Sequence, residues 1–385
     1  MRIILINTFC GFRSTGRICT DYAEKMSAEG NIVKIAYGRG PVEEKFEKYA
    51  VKIGSDMDVY CHAASARLLD NTGFASRKAT ARFLKWLDDF NPDFIWLHNL
   101  HGYYINIELL FKWIHKHPEK KYKWTLHDCW TVTGHCAHFV TTKCEKWKSK
   151  CYSCPELDAY PKTFCPWNVE KNYNKKKTLF TGVRDMTIVT PSNWLKGIVE
   201  ESYLKDYPIE VLPTQLDTSI FRPADTKDIE AIRDQYKIGD KKLILGAASD
   251  WTEKKGLYDF IRLSEKLSDV DPGRYVIVLV GLDDKQMKMM SEYSHKSDDK
   301  DLSKVEIIGI RRTANRQQMA LLYSAADVFV NMTYEDTLPT VNLEAEACGT
   351  RVITYDVGGC LETIKRSDSK CVRTGDLEAV IKELR

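Results

Sequence analysis

The stretch Tyr275 to Gly281, YVIVLVG, constrains the fold more than any other in the chain. It offers no alternation of apolar and polar positions, so neither face of a strand built from it can look into water. Such a run belongs in a parallel sheet covered by helices on both sides. Comparable runs recur at Arg2 to Thr8, Asn31 to Tyr37, Asp93 to His98, Tyr122 to Leu126, Thr187 to Thr190, Leu243 to Ala247, Val305 to Gly309 and Val352 to Tyr355. Between them lie stretches of helical periodicity, as through Ile18, Tyr22, Ala23 and Met26, and over Arg77 to Phe90 and Asn315 to Ala326. Strands and helices alternate in both halves without repeat arrays. The expected class is α/β, with two doubly wound Rossmann-like domains. The segment PTQLDTSIFRP reads as a hinge, which puts the boundary near Arg222 and the domains at 1–222 and 223–385.

A length of 385 residues suits two such domains. Fifty-seven Lys and Arg against 54 Asp and Glu leave a net charge of +3, which argues neither for nor against a polyanionic partner. No apolar run reaches the roughly 18–20 residues needed to span a bilayer, and the opening MRIILINTF is too short for a signal peptide, so a cytoplasmic protein is expected. Six of the twelve cysteines crowd between Cys129 and Cys165, marking an insertion at about 129–165. There Cys136, Cys144, Cys151 and Cys154 end in a CxxC followed by Pro155. Two thiolates from a tight turn and two from nearby segments would complete a structural zinc site, stapling a loop too poor in apolar residues for a core of its own. Reduced thiols and disulfides are the alternatives, and His135, Cys129 and Cys165 could replace any one ligand. Lys143, Lys146, Lys148, Lys150, Lys162 and Lys175 to Lys177 interleave with Trp147, Tyr152, Tyr160, Phe164 and Trp167. This pattern fits a solvated face or an anionic membrane surface better than nucleic acid.

In open parallel sheets ligands bind beyond the carboxyl ends of the strands, so polar residues there are the candidates for function. After the first strand, CGFRSTGR places Gly16 and Arg17 in what reads as a ligand-approaching loop; after the later ones come His98, Asn99 and His101, then His127 and Asp128, with His135 and His138 as weaker candidates. In the second half Lys254 and Lys255 precede Gly256 at a helix start, where ammonium groups and backbone amides suit a diphosphate. Gly309, Ile310, Arg311 and Arg312 follow another strand. The stretch Tyr334 to Thr350, YEDTLPTVNLEAEACGT, sets Asp336 eight positions before Glu344, with Glu335 beside it, on a loop running into a helix of small residues. Thr337, Leu338, Pro339 and Thr340 form the turn whose amides favour phosphate.

From Leu338 onward that stretch closely resembles the signature of the retaining glycosyltransferases of family 4, in which two glutamates flank seven residues before a helix ending in Ala-Cys-Gly-Thr. Asp336 stands where the first glutamate is usual, with Glu335 one place out of register. Lys255 before Gly256 matches, whereas the usual upstream Arg is replaced by Ser249 or Asp250. PSNWL after Thr190, and Asp217, Phe221 and Pro223, also follow the pattern, while Thr214 and Gln215 replace an Asn-Gly pair. The Cys-rich insertion is similar to that of a subgroup serving exopolysaccharide or colanic-acid-type biosynthesis.

The resemblance implies a GT-B architecture of two domains facing a cleft, the first acceptor-side and the second binding a nucleotide sugar. It implies retaining transfer from a nucleoside-diphosphate sugar to a hydroxyl of a glycan or lipid-linked acceptor, without a catalytic metal. Glu344 would hold the donor ribose, Asp336 or Glu335 the donor sugar, Lys254 and Lys255 the diphosphate, and Gly309 and Arg311 the base. His127 would orient the sugar, with Gly16, Arg17, His98, Asn99, His101 and Asp128 on the acceptor side. Peripheral contact with the inner membrane face would follow from a lipid-linked acceptor, and no nucleic acid is expected. The rival readings are a nucleotide-sugar epimerase or hydrolase and a non-catalytic, zinc-stapled transferase subunit.

Overall fold

A computed structural model describes residues 1–295 and 305–385. The chain divides into two compact units, Met1–Pro213 and Thr214–Arg385. The sequence places this change near Arg222. The intervening residues go with the second unit because Phe221 is buried in its core and the Ala224 amide donates to Ser324 Oγ.

The first unit is built on β1 (Arg2–Phe9), β2 (Ile32–Arg39), β3 (Ala50–Lys52), β4 (Phe94–Leu97), β5 (Lys121–Thr125), β6 (Met186–Thr190) and β7 (Ile209–Val211). They form one seven-stranded sheet in the order β3-β2-β1-β4-β5-β6-β7, and every pairing is parallel. Its helices are α1 (Arg13–Ala28), α2 (Asp56–Leu69), α3 (Arg77–Phe90), α4 (Ile107–Lys116), α5 (Val169–Phe180) and α6 (Asn193–Glu200). Sequential strands cannot be neighbours across the sheet centre, because the chain leaves β3 at one edge and re-enters beside β1 as β4. That crossing opens a crevice at the carboxyl ends of β1 and β4.

The second unit repeats the plan with β8 (Lys242–Ala247), β9 (Tyr275–Val280), β10 (Glu306–Ile310), β11 (Val328–Asn331), β12 (Val352–Tyr355) and β13 (Lys370–Val372). The order is β10-β9-β8-β11-β12-β13, again with only parallel pairs. Helices α7 (Thr226–Gln235), α8 (Leu257–Ser268), α9 (Asp284–His295), α10 (Arg316–Ala325), α11 (Thr340–Ala347) and α12 (Leu377–Leu384) complete it. All six residues of β9 are buried, as its unbroken apolar run requires. No helix among the described residues is long and apolar enough to cross a membrane.

Three expectations from the sequence are corrected. Gly16 and Arg17 do not lie in a loop: α1 starts at Arg13, so both are helical, with Arg17 exposed. Gly16 is buried because the helix rests against β1, where an added Cβ would crowd Phe9. The insertion, for its part, is not apolar-poor. Trp130, Val132, Phe139 and Trp147 are buried and join the main core of the first unit rather than forming a separate one. Nor is its lysine and aromatic run uniformly a surface face. Lys148 pairs with Glu145 and Glu201, Lys150 with Glu170, and Lys162 with Asp158. Lys176 is buried over the Trp130 ring, donating to the carbonyls of Trp130 and Thr133. Tyr152, Phe164 and Trp167 do remain exposed.

Candidate functional site

In the second unit the loops after β8 and β11 leave adjacent strands and meet. The β8 loop brings Lys254 and Lys255 to Gly256, which caps α8 with φ +77°. A Cβ there would overlap the Met332 carbonyl, so only glycine lets the lysine loop lie against the end of β11. The Tyr334 amide donates to the Lys254 carbonyl at 2.8 Å, closing the two loops on each other. Two ion pairs then form side by side. Lys254 Nζ reaches Glu335 Oε2 at 3.0 Å, and Lys255 Nζ reaches Asp336 Oδ2 at 2.8 Å and the Glu335 carbonyl at 3.3 Å. Burial works against the Lys255 charge, but Asp336 outweighs it and holds the ammonium pKa above its ordinary value. Asp336 Oδ1 also accepts from the Leu338 amide at 3.2 Å, shaping the turn before α11.

Below this turn the sequence is stitched in ways that its pattern did not reveal. Gly358 packs where a Cβ would overlap the Asp336 carbonyl, and the Gly359 amide donates to that same oxygen at 3.1 Å. Asp259, on α8, is buried and accepts from the hydroxyls of Tyr334 and Tyr355 at 2.7 and 3.2 Å. Asn342 accepts from Asn331 and donates to Thr363, both at 2.9 Å, which fixes α11 against β11. Glu344, half-buried on α11, accepts from the buried Tyr323 hydroxyl at 3.0 Å. Thr337, Leu338 and Pro339 are buried at the start of α11, whose first residue is Thr340. Gly309 is not in a loop. It lies inside β10, because the ladder with β9 continues to Ile310 opposite Val280, and Arg311 beyond it is exposed and bonded to Asp284 at 2.8 Å.

In the first unit the ends of β1, β4 and β5 assemble the histidines. His98 Nδ1 and His127 Nε2 lie 3.0 Å apart with their rings stacked. His98 Nε2 is buried without a hydrogen-bond partner. A bare lone pair costs less than a bare N–H, so the network assigns the His98 proton to Nδ1, which donates to His127, and the His127 proton to its own Nδ1. Burial pushes the His127 pKa down to about 4, with Asp128 opposing and His101 adding to the shift, so its imidazole is neutral near pH 7. His101 Nε2 pairs with Asp128 Oδ2 at 2.8 Å, and its Nδ1 faces the Tyr160 hydroxyl at 3.1 Å. Burial alone would raise the Asp128 carboxyl, but His101 and the Trp130 amide hold it well below the usual range. The Asn99 amide donates to Asn7 Oδ1 at 3.3 Å, joining β4 to β1. Tyr160 and Asn7 are members of this cluster that strand-end reasoning missed. His135 leaves it, being buried against Asp70 at 2.7 Å, while His138 is half-buried. Cys136, Cys144, Cys151 and Cys154 line a single small cavity with His135, Phe139 and Trp147.

Two parallel-sheet α/β units of this kind define the GT-B class of fold. Residues 228–384, within the second unit, match the family model described as glycosyl transferases group 1. Over 170 residues the chain is 27% identical to "Putative colanic acid biosynthesis glycosyl transferase WcaC" of Escherichia coli (strain K12), covering 42% of this chain and 41% of that protein. The chain thus spans less than half the length of the curated relative it matches. Among solved structures, a sucrose-phosphate synthase from Thermosynechococcus elongatus aligns with TM-score 0.70 at 14% identity, over 100% of this chain and 88% of the other. Anabaena HepE in complex with UDP-glucose aligns with TM-score 0.63 at 13% identity, over 99% and 88%.

Proposed function

We propose that this chain is a retaining glycosyltransferase that moves a sugar from a nucleoside-diphosphate donor to a hydroxyl of a growing surface polysaccharide or its lipid-linked precursor. The observation that carries the reading is the pairing of Lys254 and Lys255 with Glu335 and Asp336 at the start of α11. Departure of a diphosphate builds negative charge. Two ammonium groups and the amides of the turn offer fixed positive ends to it before any solvent rearranges. In the resting protein the lysines are balanced by carboxylates. An arriving diphosphate would compete for them, leaving an acid to accept sugar hydroxyls. Glu344, oriented by Tyr323, would accept the two ribose hydroxyls.

The unit 1 cluster would serve the acceptor side, with neutral His127 offering a hydrogen bond to a sugar hydroxyl and Asp128 holding His101. The similarity to WcaC supports a polysaccharide product, and the HepE complex supports a uridine diphosphate donor as the first to try. Exposed Phe164, beside Arg67 and Lys162, supports transient contact with an anionic lipid surface. Incubation of UDP-, GDP- and ADP-sugars with glycan and lipid-linked acceptors, reading released diphosphate and product anomer, tests the proposal. Glu344→Ala and Lys255→Ala should each lower kcat/KM by about 10²-fold or more. Undiminished transfer by both folded variants would sink it. Epimer or free sugar as the sole product would turn the reading to an epimerase or hydrolase.

A further inference from the structure

We propose that the insertion binds one zinc ion in the cavity between His135, Cys136, Cys151 and Cys154. This inference is independent of the transferase reading, since none of these residues belongs to the lysine–acid or histidine clusters.

Four thiols spread over residues 136–154 line one small cavity, which scattered core cysteines would not do. Cys136 and Cys154 hydrogen-bond each other. Cys151 Sγ accepts from the Gly134 amide at 3.3 Å, and Cys154 accepts from the amide of Glu156 two residues on. Amide donors of this kind are partners that a sulfur keeps when it gives up its proton to a metal.

An imidazole supplies the second, independent observation. His135 is 2% exposed and lines the same cavity. Its Nδ1 lies 2.7 Å from the buried Asp70 carboxylate, which fixes the proton on that nitrogen. Nε2 is then a lone pair, and it is buried without any hydrogen-bond partner. A carboxylate-oriented imidazole with a bare second nitrogen is the arrangement a metal-ligating histidine uses.

Three thiolates and one imidazole are a soft set that selects zinc over the oxygen-loving cations. Among the described residues no three His, Cys, Asp or Glu side chains are yet closed around one point. Binding would therefore draw half-buried Cys154 inward, release the three thiol protons and leave the Nδ1 proton on His135. Cys144 lines the same cavity but is left outside the set because His135, with its bare buried Nε2, supplies the fourth ligand of a tetrahedral site. Asp70 ends α2 and is held by Asn172 of α5, so the ion would tie the insertion to two helices.

The test is elemental analysis of the full chain, purified under reducing conditions without added metal, followed by mercurial release and exchange of cobalt for zinc. The expected result is about one zinc per chain and, for the cobalt form, tetrahedral d–d and thiolate charge-transfer absorption. Cys154→Ser and Cys151→Ser should drop the content below roughly a fifth per chain, while Cys144→Ser and the exposed Cys61→Ser should keep it. The cobalt spectrum of the unmutated chain guards against variants that fail to fold. Less than a fifth of an equivalent in the reconstituted wild type, absence of the thiolate band, or a Cys136–Cys154 disulfide in the purified protein would each overturn the proposal. Zinc kept by His135→Ala but lost by Cys144→Ser would overturn the ligand set.

Discussion

Glu335 and Asp336 are adjacent carboxylates with different surroundings. Glu335 is only 8% exposed and pairs with Lys254, whereas Asp336 is half-buried, pairs with Lys255 and accepts from the Leu338 amide. A buried charge with one strong partner acts first as a strut; a half-open one at a helix start is able to meet a ligand. Glu335→Gln is therefore expected to cost about 1–3 kcal/mol of stability, read as a lower urea midpoint. Asp336→Asn should keep the fold and lower kcat/KM by about 10²-fold or more. The reverse pattern would transfer the sugar-binding role to Glu335. Sequence spacing places both acids near Glu344 but leaves the choice between them open. What separates them is burial, which depends on partners at Lys254, Lys255 and Gly359, far along the chain.

Helices and strands with clear periodicity are legible to within a residue or two, and Arg77–Phe90 and Val352–Tyr355 emerge with the bounds that the sequence predicts. Elements were missed where the local signal is weak. Edge strand β3 has three residues, α2 presents only a faint apolar stripe, and the lysines of α5 disguise a helix whose Lys176 lies in the core. The loops of the site depend on glycines, whose conformations no hydrophobic pattern announces. Gly358 adopts φ +58° against the Asp336 carbonyl. Gly358→Ala is accordingly expected to lose at least about 1–2 kcal/mol from the left-handed backbone alone, with more from displacement of the acid loop. Denaturant melts would show the loss, and donor affinity should fall with it. An unchanged midpoint would mean that the loop yields without cost.

At the scale of the whole chain, eight of the nine histidines lie in the first unit, and the ninth is His295. Burial lowers His62 and His127 to about 4 and His98 well below the ordinary imidazole range. Between pH 6.5 and 4 the unfolded chain therefore binds more protons than the folded one, so the first unit loses stability as pH falls through that window and not above it. Tryptophan fluorescence reports mainly this unit, which holds eight of the nine tryptophans. Its thermal transition should drop between pH 7 and pH 5; a fixed transition would contradict the neutral, buried histidines. The alternation of strands and helices made both doubly wound units legible in advance, since it follows from local pattern. The clusters were only partly so, because they form at sheet crossings. In the second unit the lysine loop and the acid loop are 81 residues apart and become neighbours only when β11 docks beside β8. The site therefore depends on a long-range strand pairing and not on local folding of either loop. Nucleotide binding should accordingly be silent in any folding intermediate that lacks this one strand pairing, and its appearance should time the completion of the sheet.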